Sequence, residues 1–322
     1  MSLDEKELVG VAAELMRRRA IVALPADLRE RALSADYWRK LVPGLSVEGA
    51  AGAEMAGPAM TDETVAAAAG AVANHGYFHV EEALAPQATA AMRQAVEALV
   101  AAGWPAGFSF VYDEFWRATR TAPMLRFLRR VLGEDCVQLE GIWTHYVRPT
   151  RGSHGWPPHV DSGGYRERPE AIGVWFALSD ATLDNGCMYV VPQDLVPENI
   201  VRGFLDLKSF TLPETKQLLQ AARALPARAG AMMGWDFNVI HWGSTCHGGA
   251  TPRISTAMEF SSRAQAALKP DQTVVALSGP LPSLDHRLKL ISRSLLSYTR
   301  FEPLLAPFGP LAQALLGGNG PR

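Results

Sequence analysis

Between residues 137 and 261 the chain breaks into short β-type segments, at about 137–147, 171–179, 187–191, 231–240 and 253–261, with turn-forming residues between them. In the second segment Ile172, Val174, Phe176 and Leu178 share one face, and Gly173, Trp175, Ala177 and Ser179 share the other. The first face is apolar throughout. The second sets one large aromatic among small residues, which leaves space inside a closed sheet. Many short strands with a roomy inner face point to a double-sheet jelly roll.

Helical patterns flank this region. Residues 3–19 carry an apolar face of Leu8, Val11 and Leu15, and the small-residue stretch at about 48–60 reads as a linker. A helix is expected from Thr61 to Asn74-His75-Gly76, where the αL-tolerant end permits a strand at Tyr77–Val80. Pro86 opens another helix through Val96 and Leu99, and residues 123–132 form a third, stopped at Gly133. Beyond residue 280, Leu284, Leu288, Ile291 and Leu295 line one side of a helix whose Arg287, Lys289 and Arg293 are expected on a solvated face. The expected fold is therefore mainly β with helical additions (α+β): a double-stranded β-helix, of cupin-like jelly-roll type, flanked by α-helices. Three parts are expected: a helical extension and linker at 1–60, the β-helix domain with its flanking helices at 61–262, and a helical extension at 263–322 packing on the core.

The chemistry-bearing residues lie on the short segments. In Pro158-His159-Val160-Asp161 the period of two sends the imidazole and the carboxylate to the same side. His241 follows the run Met232 to Ile240, and the order His-x-Asp then distant His matches a two-histidine, one-carboxylate facial triad. Such a triad leaves three octahedral positions open, two for a bidentate oxo-acid and one for dioxygen. The ligand set suits iron; a catalytic zinc site remains chemically possible, although no His-Glu-x-x-His occurs. On the last segment Arg253 and Ser255 share a face, a guanidinium beside a hydroxyl, which makes a good carboxylate receptor.

These stretches resemble the phytanoyl-CoA dioxygenase family of Fe(II)/2-oxoglutarate oxygenases. The matching stretches are Pro158 to Asp161, Trp175-Phe176-Ala177-Leu178, Asp184 to Pro192, His241-Trp242-Gly243-Ser244 and Arg253-Ile254-Ser255, in the family's order. More loosely, the similarity extends over residues 62 to 262. The resemblance implies that His159, Asp161 and His241 bind Fe(II), that Arg253 supported by Ser255 holds the distal carboxylate of 2-oxoglutarate, and that Trp175 lines the cosubstrate pocket. It also implies O2 as second cosubstrate and succinate and CO2 as products. Because Asp161 is retained where related halogenases carry a small residue, hydroxylation or another oxidation is expected over halogen transfer. Val160 between the ligands and Gln193-Asp194-Leu195 after Pro192 depart from the family's pattern, so the substrate side is left open.

The remaining expectations are broader. A net charge of −2 gives no electrostatic reason to expect nucleic acid. Cys136, Cys187 and Cys246 form no paired framework, which suits a reducing cytoplasm, and no signal peptide or membrane span is visible. Cys187 reads as packing, His145 as a structural or pocket residue, and His154 and His247 as loop hydrogen-bonding groups. For the substrate, the candidates are Trp156 and, in the loop after the ligands, Tyr165 and Arg166; Phe110, Tyr112 and Trp116 are candidates for further aromatic walls. The expected partner is a small organic substrate, possible in specialised metabolism, and the assembly a monomer or homodimer. The alternatives are another metal-dependent enzyme and a noncatalytic cupin-like small-molecule binding protein.

Overall fold

The computed structural model describes residues 27–49, 60–161, 171–205, 210–268 and 271–317. The helix expected at 3–19 and most of the linker, like Tyr165 and Arg166, lie outside them. In chain order the strands are β1 (Tyr77–Val80), β2 (Cys136–Val147), β3 (Ala171–Ala177), β4 (Met188–Val191), β5 (Arg223–Leu225), β6 (Met232–Asp236), β7 (Ile240–Gly243), β8 (Arg253–Ser262) and β9 (Val274–Val275). Among the described residues they build two sheets, β1-β6-β3-β8-β2-β9 and β5-β4-β7. Every pairing is antiparallel. The fold is a double-stranded β-helix of cupin-like type combined with helices.

One expected segment divides. The stretch 231–240 is two strands in different sheets, β6 and β7, because Asp236 turns the chain: its side chain accepts from the Asn238 N–H at 2.8 Å and its carbonyl from the Val239 N–H at 2.9 Å. Gln193, where the sequence departs from the family pattern, supports this turn by donating its side-chain amide to Asp236 at 3.0 Å. The corner moves the chain to the opposite sheet just before His241.

Four helices longer than ten residues are described: α1 (Asp62–His75), α2 (Pro86–Ala101), α3 (Ala122–Leu132) and α4 (Leu284–Tyr298). Their ends follow from the sequence. The Thr61 hydroxyl accepts from the Thr64 N–H at 3.1 Å, Pro86 stands in the first turn of α2, and Gly76 ends α1 at φ 78°. Val72 of α1, Val96 of α2, Phe127 of α3 and Ile291 of α4 join Ile172, Val174, Phe176, Ile254, Met258 and Phe260 of the large sheet in one apolar cluster. The other face of β3 joins a second cluster, through Trp175 and Ala177, with Met188, Val190, Met233 and Trp235. Alternation along β3 thus assigns its residues to two different cores.

Two expectations are corrected here. Phe110, Tyr112 and Trp116 are fully buried in the helix-backed core and do not wall the cavity. Arg287 is not on a solvated face: it is 1% exposed and its Nη1 lies 2.6 Å from Asp113 Oδ1, equally buried. Its Nε donates to the Pro282 carbonyl at 2.7 Å and Nη1 to the Val111 carbonyl at 2.8 Å. Asp113 in turn accepts from the Gly49 N–H and the Ser46 hydroxyl, each at 2.8 Å. Burial opposes ionisation of Asp113, but Arg287 and these donors outweigh it and hold the carboxyl below its usual value. Arg287 sits three residues after Leu284 and four before Ile291, inside the apolar stripe, where only a paired charge is tolerated. Among the described residues, no helix is long and apolar enough to cross a membrane.

Candidate active site

His159 and His241 face each other across an antiparallel bridge, with each backbone N–H donating to the other's carbonyl at 3.0 Å. This hydrogen-bonded pairing places both rings on one side of the sheet, their centroids 4.2 Å apart. Asp161, two residues on, projects the same way, its own N–H held by the Phe237 carbonyl at 3.0 Å. His159 Nε2 lies 3.5 Å from Asp161 Oδ1, and His241 Nε2 lies 3.7 Å from Oδ2. The potential ligand atoms of these three residues all fall within 4.8 Å of one another.

The surroundings fit a metal. Each ring turns Nδ1 to a backbone carbonyl, His159 to Pro157 at 2.7 Å and His241 to Val239 at 3.0 Å. A carbonyl there can only accept, so Nδ1 carries the proton and Nε2 is left with a lone pair toward the centre. Burial, only partly offset by Asp161, pushes the His241 pKa down to about 4, which favours the neutral, ligating form. Trp235 donates its indole N–H to Asp161 Oδ2 at 3.0 Å and packs its ring 4.2 Å from that of His241. This fixes the carboxylate plane.

Arg253 opens β8 beside this cluster and is 1% exposed. Its place depends on two glycines: a Cβ on Gly155 would lie 2.8 Å from Nη2, and one on Gly243 3.0 Å from it. Nη1 donates to Ser255 Oγ at 3.1 Å, whereas Nε has no hydrogen-bond partner among the described residues. The indole N–H of Trp175, 1% exposed on the adjacent strand β3, has none either. Burial pulls the Arg253 pKa down to about 10, which still leaves a cation at neutral pH. A buried cation and a buried donor without acceptors are costly, and a carboxylate ligand would supply what both lack.

These groups line one cavity of about 590 Å³, counted to its open mouth. Trp156, a substrate candidate from the sequence, lines it with its ring 5.8 Å from His159. His145 also lines it and is not in the ligand cluster; burial and the nearby Arg253 hold its pKa well below the ordinary value. His154 pairs with the Gly155 carbonyl at 2.6 Å, and Cys187 is fully buried.

Sequence reasoning missed several residues of the site. Glu259 lines the cavity on the same face of β8 as Arg253, opposite Gly173 on β3. A Cβ on Gly141 would come within 2.1 Å of its carboxylate, so the glycine at the β2 irregularity makes its room. The alternation that placed Arg253 and Ser255 together, carried four residues further, would have found Glu259. Tyr298, Phe301 and Glu302 approach from the end of α4, and no local pattern announces them.

A family model described as "Phytanoyl-CoA dioxygenase (PhyH)" matches residues 72–255. A search among curated protein sequences gives no match. Among solved structures the chain is similar to the non-heme alpha ketoglutarate dependent epimerase SnoN from nogalamycin biosynthesis, at 18% identity and TM-score 0.50, covering 69% of this chain and 95% of that one. SnoN in complex with Fe3+, alpha ketoglutarate and nogalamycin RO matches at 17% identity and TM-score 0.50, over 69% and 91%. EctD from S. alaskensis matches at 14% identity and TM-score 0.49, over 68% and 81%. At this identity the likeness to SnoN speaks for the fold.

Proposed function

The chain belongs to the phytanoyl-CoA dioxygenase family and is an Fe(II)- and 2-oxoglutarate-dependent oxygenase, and from that premise we propose that it hydroxylates a C–H bond of a small organic molecule, releasing succinate and CO2. In this reading His159, Asp161 and His241 hold the iron, while Arg253 with Ser255 binds the distal carboxylate of 2-oxoglutarate along the Trp175 wall. The observation that carries it is the pair of buried donors without a partner among the described residues, Arg253 Nε and Trp175 Nε1, on residues that line the same cavity as a three-ligand cluster.

Iron and 2-oxoglutarate, when bound, would supply the electrons that activate dioxygen as the oxidant. The protein's residues supply geometry and exclusion of water. The Pro157 and Val239 carbonyls keep the two imidazoles in one tautomer, and Trp235 keeps the Asp161 carboxylate from turning. Arg253 would hold a carboxylate of the cosubstrate by charge-assisted hydrogen bonds. Trp143, Trp156 and Tyr298 add aromatic surface to the cavity lining. Asp161 fills the third ligand position, which supports hydroxylation over halogen transfer.

Anaerobic addition of Fe(II) and then 2-oxoglutarate should produce a weak visible charge-transfer band. A screen of small organic compounds, read by succinate release and product mass, should then yield a product heavier by one oxygen atom. Folded, iron-loaded protein without the band would defeat the oxygenase assignment of these residues. A product of unchanged mass would instead replace hydroxylation by an outcome of the kind named for the SnoN epimerase.

A further inference from the structure

The end of α4 and the segment that follows it reach residues that line the cavity. Glu302 Oε1 accepts the indole N–H of Trp143 at 3.0 Å and that of Trp156 at 2.9 Å. These indoles come from different parts of the chain, Trp143 from β2 and Trp156 from the stretch that leads to His159. One carboxylate oxygen therefore ties two elements together at one point. Tyr298 packs its ring 4.4 Å from Trp156 and 5.0 Å from Trp143, and Phe301 stacks on Trp156 at 5.0 Å with 27° between the planes. Phe301 also lies 6.1 Å from the His159 ring. Trp143, Trp156 and Tyr298 are cavity-lining residues.

An indole has one donor and no freedom to redirect it, so an acceptor shared by two indoles fixes both ring planes. Without Glu302 the rings would keep their apolar contacts but lose the constraint on their tilt. The segment lies beyond residue 255, where the family match ends.

We propose that Glu302 is a positioning residue that clamps the indoles of Trp143 and Trp156, so that the segment Tyr298 to Glu302 forms the substrate-facing wall and governs which substrates are held productively at the metal. The proposal rests on the oxygenase reading above for what the wall faces, but the clamp can be tested without it. Hydrogen exchange would be measured in the full chain for the amides of His159 and Gly243, which pair across the adjoining seam with the carbonyls of His241 and Trp156 at 3.0 and 3.1 Å. In Glu302→Ala, which loses both hydrogen bonds to a charged group, the protection of these amides should fall at least about tenfold. Glu302→Gln keeps a carbonyl acceptor and should restore protection to near the wild-type level. The charge-transfer titration with Fe(II) and 2-oxoglutarate should be unchanged in both variants. With any compound from the screen that wild type oxidises, the ratio of product to succinate should fall in Glu302→Ala and recover in Glu302→Gln.

Wild-type protection together with a wild-type product ratio in Glu302→Ala would overturn the proposal, as would a glutamine variant damaged as badly as alanine. If the alanine variant does not fold, Trp156→Phe decides: it keeps a ring but removes one donor, and unchanged protection at Gly243 would again overturn the clamp. A wild-type protein lacking the charge-transfer band would defeat the iron reading while the exchange comparison stood.

Discussion

The two faces of β8 differ in what they need. Ile254, Thr256, Met258 and Phe260 point into the helix-backed side and are fully buried, and even the Thr256 hydroxyl is paired, accepting from Thr144 at 3.2 Å. Arg253, Ser255, Ala257 and Glu259 share the opposite face, where the buried guanidinium Nε has no acceptor among the described residues. The first face is complete as folded. The second lines the cavity of the candidate site, so one strand serves stability on one side and that site on the other, separated only by the alternation of its side chains.

That contrast can be broken at either face. The largest effect is expected for Asp161→Ala, which should abolish iron-dependent turnover while leaving the unfolding midpoint of metal-free protein nearly unchanged. Retained turnover would remove Asp161 from the ligand set. On the closed face, Phe176→Ala should lower stability by about 3–5 kcal/mol, measured by urea unfolding, because it opens a void in the helix-backed core. Its charge-transfer titration should survive wherever the variant is folded. Arg253→Ala should weaken 2-oxoglutarate binding by about 2–5 kcal/mol, read as the cosubstrate concentration required for the band. If cosubstrate binding held and only a primary substrate's affinity fell, the division of the barrel face would need redrawing.

The smallest effect concerns the buried pair Asp113–Arg287 behind the closed face. The folded Asp113 pKa lies below its unfolded value, so the unfolded chain takes up the proton first. The resulting stabilisation is fully present above about pH 4 and is lost as the pH falls toward the folded pKa. Thermal midpoints measured through this range should drop less steeply in Asp113→Asn than in wild type. Equal slopes would show that other carboxylates carry the acid sensitivity.

The sequence exposed the barrel face far better than the residues that close it. His159 and Asp161 are two apart on extended chain, and Arg253 and Ser255 likewise, so alternation alone puts each pair on one side. The β6–β7 corner was hidden because Met232 to Ile240 is apolar almost throughout, and only Asp236 and Asn238 mark the turn. Arg287 was legible in principle from its place in the α4 stripe, but its partner stands 174 positions earlier and no local rule supplies it. Tyr298, Phe301 and Glu302 were not legible. Amphipathic spacing tells which side of α4 is buried, not where the chain arrives after its last turn.

The glycines around Arg253 have a further consequence. Gly155 precedes His159 by four residues and Gly243 follows His241 by two, and both backbones touch the space of the same guanidinium nitrogen. A shift of that nitrogen on engaging a carboxylate would press on the two stretches bearing the imidazoles. Linkage requires such communication to be mutual: by whatever factor cosubstrate tightens the hold on metal, metal tightens the hold on cosubstrate.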